Sequence, residues 1–338
     1  MAANLLERGD GQSDALCGGF LSWRTVAALR AIGVDPAALG GQAARKVRLF
    51  AGDQIAIAAL PGTGFGLSRR TLDQALAAAA VAVGAGLEHN VAVRRLDPDG
   101  RLVLADGTVL AADPILLATG KHDLRGAARP AGAAGRDPAV GLRTRLAPTP
   151  ALTRLVAGAI ELHLFDGGYG GLVLQEDGSA NLCLAVRRSR LVDAGGRPEA
   201  LLERIADRGP LGERIGVAAG IGGFDAVANV PYGWRATNGT PGLFRLGDQA
   251  AVIPSLAGEG IGIALASGQR AAAAMIAGGR DAAPVFQRRL AAATRRPVGI
   301  AAAILALAER PAIARPAVRL LRAAPGIAQG LAALTRMR

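Results

Sequence analysis

Cysteine, histidine, lysine and aromatic residues are all scarce in this chain, and each scarcity excludes something. Cys17 and Cys183 are the only cysteines in 338 residues, too few for a disulfide scaffold or a cysteine-built zinc site. His89, His122 and His163 are scattered without ligand spacing, so no metal site is expected. No Ser-His-Asp set is legible, which leaves hydrolase chemistry without support. Lys46 and Lys121 are the only lysines, so arginine carries almost all of the formal net charge of +12. Aromatics make up 3% of the chain, and the basic C-terminal stretch lacks a row of platforms on which bases would stack. Nucleic acid is set aside. No run approaches the about eighteen continuous apolar residues of a membrane span. Glu7, Arg8 and Asp10 stand where the apolar core of a secretory leader would fall. The expectation is a cytoplasmic protein. Against these absences, 51% hydrophobic residues and 47 glycines supply a folded core and exclude a disordered chain.

The apolar spacing divides the chain. Residues 21–32 have helical periodicity, and 45–60 read as two strands around an Ala-Gly-Asp turn. Ser68 is the N-cap of a helix carrying Leu72, Leu76, Ala79 and Val83 on one face. Gly62, Gly64 and Gly66 read as a turn, and Gly84 and Gly86 as the end of that helix. Three short strands follow, and then a buried strand over 114–118 that ends at Thr119-Gly120. Residues 126–141, rich in Ala, Gly, Pro and Arg, read as a linker. Stretches 160–165, 171–174 and 181–186 form an antiparallel meander, in which Cys183 is expected in the core. A helix over 198–207 and a strand over 226–231 come next. The rest, 283–334, divides into three or four helices broken at Pro297, Pro311, Pro316 and Pro325. Ten arginines against Asp281 and Glu309 give the stretch 281–338 +8 of the total charge. It reads as a helical tail that caps a domain or lies on an anionic membrane surface.

The most informative segment runs from Gly247 to Gly262. A buried strand over 243–246 closes in Gly247-Asp248, a loop passes through Pro254, and Gly258, Gly260, Ile261 and Gly262 open a long helix of Ala, Gly and Ile. A helix N-terminus offers unpaired N–H groups and a positive dipole end to an anion or an electron-rich ring. Bare glycines let a ligand approach the backbone. An acid at the carboxyl end of a strand accepts hydrogen bonds from sugar-like hydroxyls.

This segment resembles the second flavin-binding motif of FAD-dependent monooxygenases and geranylgeranyl-reductase-type oxidoreductases. Three other stretches resemble the same family: the helix start Ser68-Arg69-Arg70, the strand end Ala118-Thr119-Gly120, and the turn Cys17-Gly18-Gly19. The resemblance implies that Arg69 reaches the FAD pyrophosphate, Asp248 the ribityl or phosphate side, and residues 258–262 the isoalloxazine. Cys17 faces the flavin on this reading and is a small buried hydrophobe on the other. Glu7, closing Leu5-Leu6, resembles the acid that holds the adenosine ribose. The Gly-x-Gly-x-x-Gly unit that the family places about twenty residues before that acid has no counterpart in this sequence. The expectations are a start assigned too late or a remnant that binds flavin poorly.

The implied architecture is an α/β chain. A Rossmann-like FAD-binding domain, incomplete at its N-terminus, is built from 1–44, 67–125 and 240–280. A mainly antiparallel substrate domain comes from 45–66 and 126–239, and 281–338 forms C-terminal helices. Tyr169, Tyr232 and Trp234, set among glycines, are candidates for the substrate wall. The implied activity is that of an NAD(P)H-driven monooxygenase or double-bond reductase acting on a small or medium apolar organic molecule. Its rivals are a non-catalytic remnant and a peripheral membrane protein acting through its basic tail.

Overall fold

The structure, a computed structural model, describes residues 3–207 and 209–337. β1 (Asn4–Leu6) and β2 (Phe20–Leu21) lead to α1 (Trp23–Ala31), on whose N-cap Ser22 the Thr25 N–H is seated. The hairpin β3 (Gln42–Ala51) and β4 (Gln54–Gly66) turns at Gly52, whose φ of +61° favours glycine. α2 (Arg69–Ala82) starts at Ser68, as its spacing predicts. β5 (Gly86–Glu88), β6 (Val93–Leu96), β7 (Arg101–Leu104), β8 (Val109–Ala111) and β9 (Ile115–Leu117) follow. The second half holds β10 (Ala139–Leu146), α3 (Pro150–Val156), β11 (Gly158–Phe165), β12 (Gly168–Leu174) and β13 (Ala180–Arg187). Three short helices, α4 (Arg188–Asp193), α5 (Pro198–Ala206) and α6 (Pro210–Gly216), precede β14 (Asp225–Val230) and β15 (Leu243–Arg245). α7 (Gly260–Gly278), α8 (Ala283–Ala308), α9 (Pro311–Ala323) and α10 (Pro325–Leu334) complete the set.

An eight-stranded sheet in the order β14-β10-β13-β12-β11-β3-β4-β2 organises these elements. All its pairings are antiparallel except β11 with β3. The two-residue period of its strands sorts side chains to two faces. On one face Leu142, Leu146, Leu172 and Leu182 are fully buried beneath Leu152, Leu201 and Leu211 of α3, α5 and α6. Burial of each such leucine is worth about 2 kcal/mol, so this side anchors the sheet. The opposite face carries Val47, Leu49, Ile160, Leu162, Tyr169, Gly171 and Cys183, and it floors a cavity.

Two small parallel sheets sit apart from this one. β1 pairs with β5, and β9 with β15. Among the described residues no strand joins the two pairs, and Leu5 and Leu116 at their centres are 46% and 41% exposed.

Several local expectations change. Residues 62–66 are the end of β4 rather than a turn; there Gly66 packs so closely on β12 that an added Cβ would lie 1.9 Å from the Leu174 carbonyl oxygen. Gly141 lies inside β10 rather than in a linker, and Gly86 inside β5 rather than at a helix end. Pro297 does not break α8. It is buried with Val298 and Ala301, and core packing holds the helix through the missing hydrogen bond. Pro316 likewise sits inside α9. Continuous apolar runs are short, yet the helical stretch Gly260–Ala308 contains an 18-residue window of mean hydropathy 1.4, long and apolar enough to cross a membrane. Its Ile263, Ser267 and Ala271 are buried, and Ile263 and Ala271 belong to a core cluster with Phe244 and Phe286.

Candidate active site

The cavity, about 520 Å³, lies between the eight-stranded sheet and the ends of β9, β15 and α7. Because β9 and β15 run parallel, the turns that follow them emerge side by side. One turn is Thr119-Gly120-Lys121, the other Gly247-Asp248-Gln249. They are tied together: Gln249 Nε2 donates to the carbonyls of Gly120 and His122 at 3.0 and 2.8 Å. Arg129 donates to the Gly120 and Asp248 carbonyls at 2.7 and 2.8 Å. Gly247 has φ +51°, and its N–H donates to Ser267 Oγ of α7 at 2.9 Å, which fixes the strand end on the helix. Gly258 has φ +61°, and the first α7 bond runs from Ile263 N–H to the Glu259 carbonyl. The amides of Gly260, Ile261 and Gly262 therefore have no partner within the helix.

Charge is concentrated at this end of the cavity. Lys121 Nζ donates to Asp248 Oδ2 at 3.0 Å. Burial opposes the Lys121 charge, but the Asp248 carboxylate outweighs it and holds the ammonium above the ordinary lysine range. Arg69 makes a bidentate pair with Asp73 at 2.9 and 2.8 Å. Burial works against its charge too, and Asp73 with Cys17 more than offsets that. Deeper in, Tyr232 and Ser255 share a 2.6 Å hydroxyl contact, and burial raises both Tyr232 and Tyr169. Burial also pushes the Cys183 thiol up to about 12, so it is neutral at ordinary pH. The remaining walls are mostly apolar, from Val47, Leu49, Ile160 and Leu162 to Leu256, Ile304, Leu321 and Leu331.

Eleven of the sequence-derived candidates line this one cavity: Cys17, Gly18, Arg69, Gly120, Tyr169, Tyr232, Gly247, Asp248, Gly258, Gly260 and Ile261. Four stand outside it. Glu7 follows β1 directly, and its Oε1 accepts from Gly9 N–H. Thr119 donates its hydroxyl to the His122 carbonyl. Pro254 is buried behind the loop, and the Trp234 ring packs under the Arg129 guanidinium at 5.2 Å. Sequence reasoning missed Lys121, the second of only two lysines and adjacent to Gly120. It missed Arg129, hidden in the apparent linker. Cys183, expected in the core, lies on the cavity face of β13 because it pairs in register with Gly171. The tail was also unforeseen as a wall. Arg336 reaches back, donating to the Ala257 carbonyl and to Glu259 Oε2, the latter at 2.9 Å, and stacks on Trp23 at 4.8 Å. Among the described residues no group of three or more His, Cys, Asp or Glu is placed for a metal ion.

The residues present fit the ring and ribityl half of a flavin. An added Cβ at Gly120 or Gly260 would meet nothing within 4 Å, so the backbone there is open to a planar ligand. Asp248, Lys121 and the α7 amides supply the polar partners. For the adenosine half the described residues offer Glu7 but no Gly-x-Gly-x-x-Gly turn between a strand and a helix, and the fit does not extend there.

No family model and no curated protein matches the chain. Solved structures do. The flavin-dependent brominase Bmp2 superposes with a TM-score of 0.74 at 13% identity, over 99% of this chain and 87% of that one. PqsL, a probable FAD-dependent monooxygenase from Pseudomonas aeruginosa, gives 0.66 at 16% identity, over 94% and 92%. A geranylgeranyl bacteriochlorophyll reductase-like protein from Thermoplasma acidophilum gives 0.67 at 16% identity, over 98% of each chain. The chain has the mixed α/β fold of these proteins.

Proposed function

We propose that this chain is a flavin-dependent oxidoreductase that takes FAD and draws electrons from NAD(P)H. On this reading it acts as a monooxygenase or double-bond reductase on a small or medium apolar organic molecule. One observation carries the reading: the paired turns at Gly120 and Asp248, the open start of α7 and the Cys17-Gly18 turn share a cavity whose other end is apolar. Bound flavin supplies the electron transfer. Asp248 and Lys121 orient its polar side, Arg69 offers a cation to a phosphate, and the α7 amides stabilise negative charge on the ring edge. Leu162, Leu256 and Leu321 exclude water and receive the apolar substrate, while Tyr232 and Ser255 offer hydroxyls to a single polar group on it. A second reading, a remnant without catalysis, rests on the gap between β1 and β9.

The test is the visible spectrum of the purified protein with and without added FAD. It is followed by oxygen uptake coupled to NAD(P)H oxidation. Flavin absorbance with turnover supports the enzyme. A colourless protein that ignores FAD overturns it in favour of the remnant.

A further inference from the structure

We propose that the outer face of α9 and α10 is a docking surface for an anionic lipid bilayer. Every exposed residue of these two helices is apolar, glycine, proline or arginine. Between Arg310 and Met337 the chain contains no Asp, Glu or Lys. α9 packs inward through Ala314, Val318 and Leu321 onto Ala51, Ala56 and Leu164. At about 100° per residue, Arg315, Arg319 and Arg322 then fall on one outward flank and Ile313 and Leu320 on the other. Leu320 is 58% exposed, Ile327 of α10 45% and Leu334 38%.

An ordinary surface helix turns mixed charges and neutral polar groups to water. The charged and the large side chains that this pair exposes are cations and aliphatics alone, the combination that seats a helix in the headgroup region. The two contributions have different partners in a bilayer. Arginines meet lipid phosphates and any anionic headgroup, while Leu320, Ile327 and Leu334 enter the acyl boundary. An acidic protein would satisfy the first and leave the second in water. Continuity with the cavity favours lipid as well, since Leu321, Ala328 and Leu331 of the same helices form part of its wall. A lipophilic molecule leaving the membrane would meet an apolar wall on the inner side of the docked helices. The inference concerns the surface of the tail and stands whether or not the chain binds flavin.

The experiment is co-sedimentation of the full chain with phosphatidylcholine vesicles, with and without phosphatidylglycerol, at low and high salt. Binding to the anionic vesicles is expected to be at least about tenfold stronger than to the neutral ones and to weaken with salt. The triple variant R315Q/R319Q/R322Q should lose that preference. L320S/I327S, altered only at exposed positions, should bind both vesicle types less while its circular dichroism and thermal unfolding match the parent. Absence of binding to anionic vesicles at low salt overturns the proposal. So does equal binding to both lipids, or binding indifferent to L320S/I327S, which would mark a charge-only surface for an acidic protein. The FAD spectrum of the same preparation reports separately on the oxidoreductase reading.

Discussion

Replacing Glu161 by glutamine should destabilise the protein in a pH-dependent way whose size follows from the structure. Glu161 is fully buried on β11. Its Oε1 accepts from Arg48 at 2.9 Å and from Arg214 Nη2 at 3.1 Å, and its Oε2 from Arg214 Nε at 3.0 Å, with His163 Nε2 at 3.2 Å. Burial pushes its carboxyl up, but His163 and Arg214 outweigh burial and hold it down at about 2, against an ordinary 4.5. At about 1.36 kcal/mol per decade of proton affinity, the difference is worth on the order of 3 kcal/mol. Because the folded value is depressed, this stabilisation is complete above pH 4.5 and is lost as the pH falls toward 2. E161Q removes it at every pH and leaves the buried Arg214 with the Glu213 carboxylate but without that of Glu161, so the cost at neutral pH is about 3 kcal/mol or somewhat more. Urea unfolding followed by circular dichroism at pH 7 and in steps down toward pH 2.5 reads the difference. The gap between parent and variant should be large at neutral pH and shrink to about 1 kcal/mol or less at the acid end. A gap that is small at pH 7, or that does not close with acid, refutes the reasoning. The result bears on the site, since Ile160 and Leu162 alternate with Glu161 along the same strand and floor the cavity.

Three further outcomes are expected. Gly66→Ala, whose Cβ would collide with the Leu174 carbonyl, should cost about 4 kcal/mol or more or abolish soluble expression; an unchanged melting temperature would contradict the close approach of β4 to β12. Cys183, its thiol held up at about 12 by burial, should resist iodoacetamide at pH 8 in the native protein and react in urea, as peptide mass spectrometry would show. In a double-mutant cycle of Lys121→Met and Asp248→Leu, the coupling read from thermal unfolding should be about 1–3 kcal/mol, and a coupling near zero would mean that the pair does not hold the two turns together.

What the sequence disclosed was local. The start of α2 at Ser68, the 3-stranded meander of β11, β12 and β13, and the order strand, Gly247-Asp248, loop, Gly258 helix all depend on neighbours within a few residues, and the structure keeps them. What it concealed depends on separation. Arg129 is 119 residues from the Asp248 carbonyl it binds, so no periodicity could announce that a buried arginine sits in an Ala-Gly-Pro stretch. Arg336 is 77 residues from Glu259, and the tail was therefore not seen as a wall of the cavity. Pro297 and Pro316 misled for a related reason: proline weakens a helix locally, and tertiary packing decides whether the helix ends. Residues 114–118 read as a buried strand, yet Leu116 is 41% exposed, and only the strand pairings show its two-stranded sheet separate from that of β1.

The roominess of the cavity floor comes partly from an atom that is not there. Gly171 faces inward between Leu162 and Cys183 in register, and a methyl group grafted onto it would touch those neighbours at a comfortable 3.8 Å. The strand would tolerate alanine, and each carbon added after that would grow into the empty space. One codon therefore works as a dial for the size of molecule admitted, and it can be turned without disturbing the ladder of hydrogen bonds that carries it.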